Sequence, residues 1–213
     1  NFVGSADMIL YIIHKVPLFR RLYFHAVGRP FVSKKISPLI SLLPDDVPVL
    51  DIGSGNGLAA SLLGKKGKNI VPLDIHEGHY HNSVKPLVYD GKKIPFNDGH
   101  FEYGIILTVL HHVDEPEVLL EDIMRVCKNL VIMEDIYSSP LQKRITFWLD
   151  TMANLWYSPC PHTNKDDAGW KACFEAHGYE LKHTEYRRVL FFIRQGIYVI
   201  SVKPAESRQP ETV

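Results

Sequence analysis

Three aspartates and three glycines carry the first chemical signal. Asp51 lies in the stretch VLDIGSGNG (residues 49–57), and Gly53, Gly55 and Gly57 follow it at alternate positions. Asp74 lies near the end of a second apolar run, NIVPLDI (69–75). Asp90 closes a third, SVKPLVYD (83–90), with Gly91 behind it. Glycine after a buried strand lets the backbone turn sharply and leaves space that a side chain would fill. A carboxylate at a strand end can accept hydrogen bonds from both hydroxyls of a diol, and one beside the turn suits a cation. Each aspartate alone reads as a turn or capping residue. The three in register with the glycines read as one rim around a ligand.

Such a rim needs parallel strands to assemble it. The apolar runs PVLDI (48–52), 69–75, 83–90, FEYGIILTVL (101–110) and LVIMED (130–135) predict five strands, the third the weakest. Continuous apolar runs of this kind suit a parallel sheet covered on both faces. A short helix is expected over 57–63. A second follows the fourth strand, with Asp114 as its cap, Pro116 in its first turn and Glu117 completing a capping-box-like pattern. Leu119, Ile123 and Val126 would form its buried face. A third runs over 166–177, sharing Trp170, Cys173, Phe174 and His177 on one face and stopping at Gly178. The runs YELKHTEYRRVLFF and GIYVISV, separated by Arg194, Gln195 and Gly196, predict a closing antiparallel pair. Residues 1–45 read as short helices broken by Pro17 and a turn at 28–30, forming an N-terminal extension or lid. One domain over 46–203 and a frayed polar tail over 204–213 complete the chain.

The acids also constrain the ligand. A dinucleotide brings a pyrophosphate, which favours helix N-terminal amides and no nearby acid. Asp51 just before the first glycine suits an amine better, and points to a nucleoside bearing an amino acid, S-adenosylmethionine. The G-x-G-x-G spacing, in place of G-x-G-x-x-G, counts against a nicotinamide dinucleotide.

Over about residues 36–203 the chain resembles class I S-adenosylmethionine-dependent methyltransferases, and within them the branch holding many small-molecule methyltransferases. The resemblance rests on VLDIGSGNG, VPLDI, YDGKKIPFNDGHFEYGIILTVLHHVDEP and FEAHGYE. It implies a Rossmann-like, doubly wound α/β sheet of seven strands, mostly parallel with one antiparallel strand, and helices on both faces. It places Asp51, Gly53, Ser54, Gly55, Asn56 and Gly57 against the methionine part of the cofactor. Asp74 and Ile75 would hold the ribose, and Asp90 and Gly91 the adenine. Leu107 and Thr108 would line the pocket. Phe101–Glu102 departs from the usual Phe–Asp pair, and Glu102 reads as structural. The implied activity is methyl transfer to a small-molecule acceptor, hydrophobic acceptors included. The alternative is a non-catalytic scaffold that keeps the nucleoside pocket.

Other constellations have two readings each. His111 and His112 are candidates for a general base, or they shape the pocket. Glu134, Asp135 and Tyr137 could orient a polar substrate or satisfy loop backbone. His76, His79 and His81 match no strong metal template and read as solvent-exposed, so no metal site is expected. Cys160 and His162 with Cys173 and His177 look faintly zinc-like, but Cys173 and His177 fit a buried helix face. The N-terminal segment has three readings: a lid, a membrane-surface helix, or packing against the domain. In the membrane reading Phe19, Tyr23 and Phe24 insert and Arg20, Arg21, Lys34 and Lys35 meet headgroups. A second apolar, aromatic stretch, ITFWLDTMANLWYSP (145–159), lies where a substrate cover is expected. The formal net charge of +0 gives no support to a nucleic-acid partner. Three widely spaced cysteines show no disulfide framework and fit a reducing cytoplasm. The first apolar run, Met8–Ile13, is too short to span a bilayer, and no signal-peptide cleavage pattern follows it.

Overall fold

The structure, a computed structural model, describes residues 26, 28–77, 84–154, 161, 163–189 and 193–203, with 148–154 followed as helix only. Phe19 to Phe24, His79, His81, Cys160, His162 and the tail 204–213 lie outside the described residues, and with them much of the lid, metal and membrane readings.

Two short helices lead in, α1 (Arg29–Ile36) and α2 (Leu39–Leu42). Then β1 (Pro48–Ile52), α3 (Leu58–Gly64) and β2 (Asn69–Asp74) alternate. β3 (Leu87–Val88) and β4 (Phe101–Leu107) follow, and a single 3-10 turn (Leu110–His112) leads to α4 (Pro116–Val126). The chain closes with β5 (Cys127–Ile136), α5 (Pro140–Asn154), α6 (Asp167–Ala176), β6 (Tyr179–Val189) and β7 (Ile193–Val202).

The strands form one seven-stranded sheet in the order β3-β2-β1-β4-β5-β7-β6. β7 runs antiparallel to both its neighbours, and every other pairing is parallel. Alternation along each strand feeds two cores. Leu50, Ile52, Ile106 and Ile132 pack with Leu120, Ile123 and Met124 of α4 and with Trp170 and Phe174 of α6. Val49, Ile105, Val131 and Met133 pack on the other side with Ile36, Leu39, Leu43 and Leu63. Helices therefore cover both faces of the sheet, as its apolar strands require.

Three local expectations change. The third strand shrinks to two exposed residues, Leu87–Val88, at the sheet edge. Pro86 just before it has no amide to give a ladder. At α4 the N-cap is Glu115, with no side-chain cap bond, in place of Asp114. Glu117 turns away to Lys165, 2.8 Å distant, and the ion pair holds its carboxyl below the usual range. Finally, Arg194, Gln195 and Gly196 are inside β7 and paired to both neighbours, not in the hairpin turn. Gly196 is required there because a Cβ would run into the Tyr198 hydroxyl.

The joint between α4 and β5 has no loop. Val126 ends the helix, Cys127 starts the strand, and the Cys127 amide still donates to the Ile123 carbonyl. Burial pushes the Cys127 thiol up to about 12, so it stays a packed thiol. It is wedged against Gly104 of β4, where a Cβ would sit 2.8 Å from its Sγ.

Candidate functional site

Ligands of open parallel sheets bind beyond the carboxyl ends of the strands, and the marked residues gather there. The glycine loop is strapped to β2: the amides of Gly53 and Ser54 both donate to the Leu73 carbonyl, at 2.9 and 3.1 Å. Gly53, Gly55 and Gly57 all have positive φ. Gly53 has a second constraint, since a Cβ there would lie 2.7 Å from both methyls of Val109. Asn56 serves the loop itself, its Oδ1 accepting from the Leu58 amide at the start of α3.

Asp74 ties the loop to the end of β2. Its Oδ2 accepts from the Gly55 amide at 2.7 Å and its Oδ1 from the His76 amide at 2.9 Å. Each oxygen retains acceptor capacity. Asp51 is buried, 1% exposed, and its Oδ2 has no hydrogen-bond partner among the described residues; neither has the buried hydroxyl of Ser54. Burial, then the Asp74 charge, raises the Asp51 carboxyl to about 7, and Lys35 opposes that rise. Two orphaned polar groups beside bare glycines are what a ligand amine and its neighbours would satisfy.

Past β2 the rim opens into a cleft of about 380 Å³, lined by Ile75, Tyr89, Gly91, His112, Val113 and Leu119 among others. Gly91 matters for its bare Cα, because a Cβ would come within 3.2 Å of Ile75. Asp90 stands beside this cleft. Its carboxylate is exposed and accepts from the Lys92 amide at 3.0 Å.

On the other side lies Thr108, whose φ of 56° is the only positive value of a non-glycine among the described residues. Strain of this kind persists where the surroundings enforce it and clusters at ligand sites. The Thr108 amide donates to the Met133 carbonyl, and its hydroxyl donates to the carbonyl of Leu107. The hydroxyl also accepts from the Lys35 ammonium at 2.7 Å. Lys35 comes from α1, 73 positions earlier. It is not turned to the surface with Lys34, as the membrane-facing reading had it. Burial holds its pKa down while Asp135, Glu134 and Asp51 pull it up. The sequence reading missed Lys35 as a site residue. Only the need for a cation among so many acids pointed to it.

The histidines occupy different places. His111 is sealed, with Nδ1 2.6 Å from Glu134 Oε2. Glu134 Oε1 accepts from the amides of Val109 and Leu110, at 2.9 and 2.8 Å. Glu134 thus fixes the whole segment after β4 and does not face solvent, being 0% exposed. His112 packs against His111 with ring centroids 4.1 Å apart and planes tilted by 41°, and it lines the Ile75–Gly91 cleft. Asp135 accepts from Gln195 at 2.7 Å, and burial raises its carboxyl above the usual range. Among the described residues no group of three His, Cys, Asp or Glu could hold a metal, and no helix is long and apolar enough to cross a membrane.

Comparison with known proteins fits this geometry. Residues 50–132 match the family model described as Methyltransferase domain. No curated protein sequence matches. Among solved structures, an S-adenosylmethionine-dependent methyltransferase from Aquifex aeolicus superposes with a TM-score of 0.59 at 18% identity, over 93% of this chain and 100% of that one. A chain from the complex of the Haloferax volcanii Trm112 methyltransferase activator with a methyltransferase gives a TM-score of 0.63 at 16% identity, covering 87% and 96%. The mitomycin 7-O-methyltransferase MmcR gives 0.60 at 16% identity, covering 91% and 60%. Over residues 50–132 the chain is thus similar to a methyltransferase domain, and it shares the fold of these methyltransferase structures. The cofactor that this similarity implies is S-adenosylmethionine.

Proposed function

We propose that this protein transfers a methyl group from S-adenosylmethionine to a small-molecule acceptor, hydrophobic acceptors included. The observation that carries the reading is the buried Asp51, whose Oδ2 has no partner among the described residues, beside a glycine loop and in the field of the Lys35 ammonium. An amino-acid arm brings one ammonium and one carboxylate. Asp51 takes the first and Lys35 the second. Asp74 holds the ribose diol, and the Ile75–Gly91 cleft takes the flat adenine, with Asp90 at its edge. Leu107 and Thr108 close the floor between them.

When bound, the cofactor supplies a methyl group activated on a sulfonium. What this chain adds is position. Methyl transfer is an in-line displacement, so holding donor and acceptor in line supplies much of the rate. His111 keeps the loop after β4 in shape through Glu134, and His112 belongs to the nucleoside side. Neither is needed as a base in this reading.

Calorimetric titration tests it. S-adenosylhomocysteine should bind and NADH should not. Asp74→Asn, which keeps an acceptor oxygen for the loop amides, should weaken the nucleoside about tenfold or more, because a charged ribose contact of about 1.5–3 kcal/mol is lost; a melting curve shows that the variant folds. Unchanged affinity in that variant would refute the site. Tight binding with no turnover across an acceptor panel would favour the non-catalytic scaffold.

A further inference from the structure

We infer that the acceptor is an amphiphilic anion, a phosphate or carboxylate on an apolar body, whose charge is held by Arg188 and Arg194. The inference deepens the methyl-transfer reading and rests on it for the acceptor's role.

A cleft of about 680 Å³ opens at the same rim beyond β5, between the start of α5 and the β6–β7 pair. Arg187, Arg188 and Arg194 all line it, and among the described residues no carboxylate does. Arg188 and Arg194 are direct partners in the antiparallel register, so both guanidinium groups leave the same face of the sheet. Like charges directly opposed across two strands are destabilising. A chain with zero net charge has placed them there, with no acid among the described residues lining the cleft.

The two arginines are differently held. The Arg194 guanidinium lies 4.3 Å over the Tyr186 ring. The Tyr186 hydroxyl is itself fixed, donating to Asp167 at 2.9 Å and accepting from Lys171 at 2.8 Å. Stacking leaves the edge of the guanidinium, with its donors, free for an oxyanion. Arg188 has no hydrogen-bond or ion-pair partner among the described residues. Arg187 is already used, donating to the Lys34 carbonyl and the Ser37 hydroxyl of the N-terminal segment. One stacked and one unpaired guanidinium on one wall suit a phosphate or carboxylate, which accepts from both.

Across from the arginines, Leu141, 68% exposed in the first turn of α5, and Ile145 line the cleft among the polar side chains of Ser138, Ser139 and Gln142, and Ile193 lies beside Arg194 in β7. An anionic group whose body rests on Leu141, Ile145 and Ile193 matches these side chains together. The position also fits. Arg194 pairs with Ile136 at the end of β5, and its neighbour Gln195 holds Asp135, whose charge is felt by Lys35. The anion would therefore sit one strand beyond the cofactor's amino-acid arm.

Hexyl phosphate is a suitable probe, followed by ligand-observed NMR on protein saturated with S-adenosylhomocysteine, with hexanol as the uncharged control. Saturable binding of the phosphate alone is expected, weakened about tenfold or more in Arg188→Gln and in Arg194→Gln. Melting curves show whether each variant folds. Arg188 is exposed, so its variant decides the matter if the other does not fold. No saturable phosphate binding, equal binding in the folded variants, or hexanol binding as tightly would overturn the proposal. Sedimentation with phosphatidylcholine vesicles containing phosphatidate separates the sources. Arginine-dependent pelleting assigns a lipid headgroup, and its absence beside arginine-dependent hexyl phosphate binding assigns a free anion. S-adenosylhomocysteine affinity is measured on the same preparations. Its loss would sink the methyl-transfer reading, and its persistence with no phosphate binding would sink only this one.

Discussion

At the scale of single residues, Asp51 sets the pH behaviour. Its carboxyl is raised to about 7 in the free protein, chiefly by burial. The folded state thus holds a proton that the unfolded chain has already released. That contribution to stability is full in acid and is lost as pH rises through about 7. The melting temperature should fall between pH 5 and 7.5 relative to Asp51→Asn, in which that component is absent. Cofactor binding has the opposite slope, because a ligand ammonium needs the carboxylate. S-adenosylhomocysteine affinity should rise up to about tenfold per pH unit below 7 and then level off. A flat calorimetric profile in the unaltered protein would refute the pairing. Lys35 gives a second test. Measured above pH 8, Lys35→Met should weaken S-adenosylhomocysteine about tenfold more than its decarboxylated analogue, both losing what the Lys35 charge adds to keeping Asp51 ionised. Equal loss of both would make Lys35 a packing residue. Asp51 and Asp74 could be singled out in the sequence because, although each alone reads as a turn or capping acid, both stand at strand ends in register with the glycines. Lys35 could not, since nothing local distinguishes it from Lys34. Only the tertiary placement of α1 separates them.

At the scale of elements, two devices hold the segment after β4. Glu134 is one. Removing it strands two amides and breaks a buried pair with His111. Glu134→Ala should cost about 3–5 kcal/mol in denaturant unfolding, and a loss below 1 would show that the pair contributes little. Gly53 is the other. Gly53→Ala combines a positive φ with a collision against Val109, whereas Gly55→Ala has positive φ and open space. The first should destabilise by about 1–3 kcal/mol more than the second, read from the same unfolding curves. The strands themselves were plain in the sequence because apolar runs buried on both faces leave little ambiguity. Their ends were not. The 101–110 run stops as a strand at Leu107, where Thr108 takes its strained turn. The Arg194–Gly196 stretch reads as a turn by composition, yet Gly196 is there to make room for Tyr198.

At the scale of the whole molecule, the sheet order places the Ile75–Gly91 cleft and the arginine cleft on either side of the β1–β4–β5 rim. The first could be proposed from the sequence, because its motif is local. The second escaped it, because Arg188 and Arg194 meet only through strand register. The loopless joint between α4 and β5 has its own bearing on how such a chain can change over time. Glu134 lies eight residues into β5 with no slack upstream. Inserting or deleting one residue at Val126–Cys127 would either distort the helix or slip the strand. A one-residue slip turns every side chain of β5 to the opposite face. It would present Glu134 to the wrong core and leave Val109 and Leu110 without their acceptor. Descendants of this chain therefore inherit at this joint a fixed spacing between helix and strand.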